Sequence, residues 1–110
     1  RGLGDVYKRQ YYYNSLGARV DYTEVEFLDK KYKGHIYWQK YTDAQIESTR
    51  QLLVYLCDTY KIPRDYYATI FDIDKRALQG DRGIFTHNSV RKDKSDIYPC
   101  PRMITMLKAL

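Results

Sequence analysis

Hydrophobic residues in the middle of the chain recur at spacings of three, four and seven: Ile46, Leu53, Leu56, Cys57 and Tyr60. Spacings of this kind place side chains on one face of an α-helix. The pattern therefore predicts a helix from about Asp43 to Tyr60 with one apolar face.

Both ends of this helix have sequence signals. Thr42 can cap the first turn, and Gln45, three residues later, can reach back to complete a capping box. Pro63 cannot continue a helix because it has no backbone N–H and its ring clashes with the preceding turn. The helix is therefore predicted to begin after Thr42 and to end near Lys61.

The pattern before the helix is that of strands. Leu16–Leu28 is rich in β-branched and aromatic residues, and at its end Val25 and Phe27 alternate with Glu24 and Glu26. Alternation with a period of two predicts one or two half-buried strands. The next stretch, residues 29–40, is polar and aromatic around a central glycine, which predicts an exposed loop or a short hairpin.

The second half of the chain begins without a sustained period, and we predict irregular structure over residues 64–82 with short elements around 68–73. Ile84 and Phe85 then run directly into Thr86 and His87. This short apolar pair predicts a buried strand that presents His87 at its end.

A closing helix is predicted after Pro101, with four apolar residues on one face: Met103, Met106, Leu107 and Leu110. The order of strand, helix, strand and helix predicts the α/β class.

Composition and charge limit the kinds of partner that the chain is expected to bind. The chain of 110 residues has 44% hydrophobic and 30% charged residues, which suits one small domain. Its formal charge of +5 is spread over mixed-sign runs and forms no basic stripe, so we expect no nucleic-acid partner. No apolar run approaches the roughly 20 residues of a membrane span. We expect a monomer without a membrane partner.

Residues 1–10, RGLGDVYKRQ, resemble a translated sequencing adapter. We therefore expect residues 1–10 to be a non-native segment and residues 11–110 to be the C-terminal part of a single domain. The two cysteines, Cys57 and Cys100, show no metal-ligand spacing and no disulfide framework, and Cys57 is expected to be a buried free thiol.

One segment combines residue types that carry chemistry. Gly83–Pro99 reads GIFTHNSVRKDKSDIYP, in which Asp96 follows His87 by nine positions and Lys94 precedes the aspartate by two. This segment resembles the second half of the zinc site of the type 2 N-acetylmuramoyl-L-alanine amidases. That family includes phage lysozyme-amidases and is related to peptidoglycan recognition proteins.

The resemblance extends to Tyr41–Gln45, YTDAQ, which is similar to the family's opening of the long helix, and to Lys61–Pro63 after it. In total it covers about Asn14–Leu110. It implies a three-layer α/β domain in which helices flank a central mixed sheet, with the N-terminal part of the domain missing. The helix over 43–60 would cover one face of that sheet.

The resemblance also implies roles. His87 and Asp96 would bind one zinc ion and Lys94 would be catalytic, which agrees with the three nitrogen or oxygen ligands of catalytic zinc and with oxyanion stabilisation by a cation. A further histidine ligand is expected on a strand upstream of Tyr11. His35 is a less favoured substitute for it, and Cys100 lies too late to replace Asp96.

The family's acid/base residue, usually a glutamate, lies on the strand before the long helix. Glu26 fits the apolar-Glu-apolar pattern best, Glu24 points to the same face, and Asp21 fits when counted from Asn14. The three stay open as alternatives, with Glu26 and Glu24 preferred.

The activity implied is zinc-dependent hydrolysis of the amide between N-acetylmuramic acid and L-alanine in peptidoglycan, in wall degradation or recycling. The alternative is a domain that binds muropeptide without cutting it. We expect His87 and Asp96 to face each other within roughly 4 Å across an open groove, with Lys94 at its rim and Glu24 or Glu26 opposite. With two protein ligands for zinc, the chain on its own is expected to be nearly inactive.

Overall fold

The computed structural model describes residues 12–14 and 16–110. The chain divides into two compact units, one up to Lys40 and one over Tyr41–Leu110. Each unit is described by itself. The expected non-native segment, residues 1–10, lies outside the described residues.

The first unit opens with a pair of two-residue strands. Strand β1 (Tyr12–Tyr13) pairs antiparallel with β2 (Arg19–Val20), so that Tyr12 lies opposite Val20. A 3-10 turn, Tyr22–Glu24, follows. The strand predicted within Leu16–Leu28 is thus confirmed in part as β2.

A longer hairpin completes this unit. Strand β3 (Val25–Tyr32) pairs antiparallel with β4 (His35–Gln39), with a register shift between Phe27 and Tyr32. The turn residues Lys33 and Gly34 have φ of 52° and 85°. Positive φ at both central residues is typical of tight hairpin turns, whose twist matches that of the strands. The predicted hairpin is therefore confirmed, and its first strand begins at Val25.

Aromatic side chains fill this first unit. Trp38 on β4 is completely buried, and its indole Nε1–H donates to the His35 carbonyl over 3.0 Å. Tyr12 is buried with Val20 and Val25, and the Tyr37 ring packs edge-on to Tyr12 at 5.2 Å. Val25 therefore lies in this core, whereas Phe27, predicted for the same face of β3, is 46% exposed.

The second unit begins with helix α1 (Asp43–Tyr60). Thr42 Oγ1 accepts from the Gln45 N–H over 3.0 Å, and Gln45 Oε1 accepts from the Thr42 N–H over 2.8 Å. Lys61 ends the helix in the left-handed conformation, φ 55°. The predicted boundaries and capping box are confirmed. Of the predicted apolar face, Cys57 is buried and Tyr60 is exposed, so the apolar face is shorter than predicted.

Helix α3 (Pro101–Lys108) confirms the predicted closing helix and buries Met103, Met106 and Leu107. It packs on α1. Arg102 strengthens this contact by donating to the Asp43 carboxylate and to the Tyr41 carbonyl.

Short elements connect these two helices: a 3-10 turn at Ala68–Phe71, helix α2 at Lys75–Leu78 and a 3-10 turn at His87–Ser89. Irregular structure with short elements was predicted for the first part of this connection and is confirmed. The strand predicted at Ile84 and Phe85 is wrong. All strands of the described residues lie before Lys40, and within Tyr41–Leu110 no strand pairs with this half-buried segment. A strand requires a partner for its backbone groups.

The α/β class predicted from the sequence is confirmed. The strands of the described residues form two antiparallel pairs, where the family resemblance implied a central mixed sheet. Among the residues that the structure describes, no helix is long and apolar enough to cross a bilayer.

Candidate functional site

His87 and Asp96 are in direct contact. His87 Nδ1 lies 2.9 Å from Asp96 Oδ2, and both side chains are open to solvent, at 41% and 61% exposure. The separation falls within the roughly 4 Å that two ligands of one zinc ion can span. The imidazole is therefore held against the carboxylate at the protein surface.

The 3-10 turn that carries His87 is fixed from below. The Thr86 N–H donates to Ser89 Oγ over 3.1 Å, and the Ser89 N–H donates to the Thr86 carbonyl over 3.0 Å. Ser89 Oγ in turn donates to the Ile70 carbonyl over 2.7 Å. The residues on either side of His87 are thus tied to one another and to the turn at Ala68–Phe71.

Asp74 supports the same turn from a second direction. Its backbone N–H donates to the Ser89 carbonyl over 3.0 Å. Its carboxylate is 4% exposed, contacts Arg76 Nη2 at 2.6 Å and accepts from Thr69 Oγ1 over 2.8 Å. The hydrogen bond from Arg76 and the further one from Thr69 lower the pKa of Asp74 to about 2, although burial acts in the opposite direction. Asp74 is therefore ionised over the whole physiological range.

Asp96 lies on the loop that leads into α3. Downstream of it, the buried Tyr98 ring stacks on Tyr41 with ring centroids 4.9 Å apart. On the side of the His87 turn, the amide of the buried Asn88 donates to the Ile97 carbonyl over 3.4 Å. The loop is thus joined both to the start of α1 and to the turn that carries His87.

The charges around Asp96 favour its ionised form. The hydrogen bond with His87 lowers the pKa of Asp96 below its usual value, and the positive charge of Lys94 contributes in the same direction. A carboxylate must be ionised to bind a metal. Asp96 is therefore ionised at neutral pH, as a metal ligand would have to be, and the half-buried Lys94 acts on it electrostatically.

The donors of this pair suit zinc in kind. Imidazole nitrogen and carboxylate oxygen are two of the three donor types that zinc takes in proteins. A catalytic zinc site has three protein ligands, and this pair supplies two. Within the part of the chain that the structure describes, no group of three histidine, cysteine, aspartate or glutamate residues could hold a metal ion.

The candidate acid/base residues all lie in the first unit. Glu26 is half-buried on β3, opposite Trp38, and Glu24 is exposed at the end of the 3-10 turn. Asp21 accepts from the Thr23 N–H over 2.9 Å, which lowers its pKa. Asp21 therefore caps this turn, and the catalytic role of any of the three stays a prediction.

His35 and Cys100 are the two less favoured candidates for zinc ligands. His35 is exposed at the start of β4, in the first unit. Cys100 is completely buried at the residue before α3, and Cys57 is a buried free thiol as predicted. The burial of Cys100 agrees with the preference for Asp96.

A groove of about 570 Å³ adjoins the pair. Its walls come from α1, from the segment before His87 and from α3, and Asp96 is among its lining residues. Apart from polar residues of α1, most of the lining is apolar, including Leu53, Ile84 and Met103. Asp96 therefore faces an open, largely apolar depression.

Sequence reasoning missed the hydrogen bonds of the residues that flank His87. Thr86 and Ser89 lie three positions apart around the histidine, and hydroxyl residues at this spacing are typical of a capped turn. That signal could have predicted the turn. It could not have predicted the contact with Ile70, which joins residues 16 and 19 positions apart.

One comparison with known proteins identifies a family. The family model of the N-acetylmuramoyl-L-alanine amidases matches residues 11–101, a range that contains His87, Lys94 and Asp96. Comparisons with curated proteins and with solved structures gave no match. Since the match covers most of the chain, the protein belongs to the N-acetylmuramoyl-L-alanine amidase family.

Proposed function

We propose that this protein takes part in zinc-dependent hydrolysis of the amide between N-acetylmuramic acid and L-alanine. Family membership supports a peptidoglycan amidase activity in general. The observation that carries the more specific proposal is the 2.9 Å contact between His87 Nδ1 and Asp96 Oδ2 at the edge of an open groove.

His87 and Asp96 would hold the zinc, and a histidine upstream of Tyr11 would supply the third ligand. A zinc ion bound in this way polarises a carbonyl and lowers the pKa of a bound water toward about 7. Because the described residues supply two ligands, we propose that this chain alone binds zinc weakly and has little activity.

The chain's own residues would stabilise the oxyanion and transfer the protons. Hydrolysis adds the water oxygen to the amide carbonyl carbon, and the C–N bond breaks to leave a carboxylate on the sugar and an amine on L-alanine. Lys94 would stabilise the oxyanion that forms during this addition. Glu26 or Glu24 would take a proton from the water and give it to the departing amine, with Asp21 as the alternative.

The test measures the free stem peptide that is released from purified peptidoglycan. It uses a longer form of the chain that includes the proposed upstream histidine. Activity should disappear with a chelator, return with zinc, and be lost in His87→Ala. No release after zinc is restored would contradict the proposal.

A second candidate function is muropeptide binding without cleavage. It is favoured by one observation, the two-donor set among the described residues. On this alternative, the longer form would bind muropeptide and release no stem peptide, and Lys94→Ala would change only binding. On the enzyme proposal, Lys94→Ala should reduce turnover more than binding.

A further inference from the structure

Ser89 is a completely buried polar residue two positions after His87. Its hydroxyl makes a hydrogen bond in each direction: Ser89 Oγ donates to the Ile70 carbonyl over 2.7 Å and accepts from the Thr86 N–H over 3.1 Å. The residue before the histidine is thereby connected to the turn at Ala68–Phe71.

Thr86 makes the same connection independently. Its hydroxyl also donates to the Ile70 carbonyl, so one backbone oxygen receives hydroxyl groups from both sides of the histidine. The Ile70 side of this contact is buried, as are Ser89 and Phe71, whereas Thr86 is half-buried. If the buried Ser89 hydroxyl lost its hydrogen bond, no water could replace its partner. Ser89 Oγ therefore has one strongly preferred arrangement, and the Thr86 hydroxyl adds a second hydrogen bond to the same carbonyl.

The His87 side chain, in contrast, is not buried. It is 41% exposed, and its partner Asp96 lies on a loop with 61% exposure. An exposed ion pair gains little, because holding two side chains in one geometry costs conformational entropy. The direction of the imidazole must therefore come largely from the backbone turn beneath it.

We infer that Ser89, together with Thr86, is a positioning residue that aims the His87 imidazole at Asp96. For the metal, this inference rests on the proposed zinc function. For the contact between the imidazole and the carboxylate, it stands on the hydrogen bonds alone. Outer-shell groups that orient a ligand typically change metal affinity by about 10- to 100-fold when they are removed.

The test compares Ser89→Ala and Thr86→Val, which remove the hydroxyls, with Thr86→Ser, which keeps one. Thr59→Val, at an exposed threonine of α1 outside the groove, is the matched control. The first readout is the pair of imidazole ¹⁵N shifts of His87 in the metal-free chain at fixed pH, and circular dichroism verifies the fold. Ser89→Ala and Thr86→Val should lose the signature of a Nδ1–H bonded to Asp96, whereas Thr86→Ser and Thr59→Val should retain it.

The second readout is zinc affinity, which should fall about tenfold in Ser89→Ala and Thr86→Val. Wild-type shifts and wild-type zinc affinity in both folded variants would overturn the inference and leave the zinc function standing. If a longer form that includes the proposed upstream ligand also binds no zinc but the His87 shifts change as expected, the zinc function fails and the positioning role is supported. Should Ser89→Ala not fold, the nearly isosteric Thr86→Val and its rescue by Thr86→Ser decide the question.

Discussion

The His87 imidazole contacts the Asp96 carboxylate directly, with Nδ1 2.9 Å from Oδ2. The two residues are nine positions apart and lie on different local elements, a 3-10 turn and the loop before α3. Each element is fixed by buried groups, Ser89 on one side and Tyr98 on the other. The contact therefore depends on two separate anchors that converge at the surface.

If Lys94 stabilises the oxyanion as proposed, Lys94→Ala should lower the turnover of stem-peptide release by about 100-fold or more, because loss of one oxyanion-stabilising group typically has an effect of this size. Muropeptide binding should change much less. Steady-state kinetics of stem-peptide release, together with calorimetric binding, separate the two effects. Lys92→Ala, at an exposed lysine of the same loop, is the control. An equal loss of turnover in both variants would indicate a general effect of loop charge and would remove Lys94 from the mechanism.

Asp74→Asn should destabilise the protein by roughly 2 kcal/mol, since it weakens a buried set of hydrogen bonds with Arg76 and Thr69. The pKa of Asp74 is lowered to about 2, from an ordinary value of 3.8. Its contribution to stability is therefore complete above about pH 4 and is lost as the pH falls toward 2. Urea unfolding between these pH values should show a steeper decline for wild type than for Asp74→Asn.

Glu47 is an exposed carboxylate whose pKa is lowered as far as that of the buried Asp74. The side-chain hydrogen bond from Arg50 lowers the pKa of Glu47 to about 2 as well, but its side chain is 50% exposed. Exposed pairs contribute little and are screened by salt. Glu47→Gln should accordingly have a much smaller effect than Asp74→Asn, and equal effects would show that burial of Asp74 does not matter.

Thr42→Ala should lower the free energy of unfolding by about 1 kcal/mol, because it removes the acceptor for the Gln45 N–H at the start of α1. Thr42→Ser keeps the hydroxyl oxygen and should remain within a few tenths of a kcal/mol of wild type. Chemical denaturation of the three proteins is the measurement. If serine and alanine destabilise equally, the capping box does not stabilise the helix.

Helix α1 could be predicted because its signals are local. Thr42 and Gln45 mark its start and Pro63 follows its end, so the short-range sequence determines both boundaries. Its buried face could be predicted only in part, since Tyr60 has helical spacing but remains exposed. Burial depends on which neighbours a face meets, and spacing does not encode those neighbours.

The residues Ile84 and Phe85 alone could not show whether this segment forms a strand. A short apolar pair is compatible with a strand, but a strand forms only where another backbone pairs with it. Within Tyr41–Leu110 the structure supplies no such partner. The same reason explains why the contacts of Thr86 and Ser89 with Ile70 were missed, whereas the spacing of His87 and Asp96 resembled a known motif.

Zinc titration of the isotope-labelled chain, followed by NMR, would show whether His87 and Asp96 bind one zinc ion. We expect the His87 imidazole and the Asp96 carboxylate resonances to shift together at the same zinc concentration. Asp96→Asn should weaken this binding, whereas Asp93→Asn should not, because Asp93 is in the same loop but pairs with Arg91 at 2.6 Å. The absence of any zinc-induced shift at His87, or equal weakening by Asp93→Asn and Asp96→Asn, would contradict zinc binding by this pair.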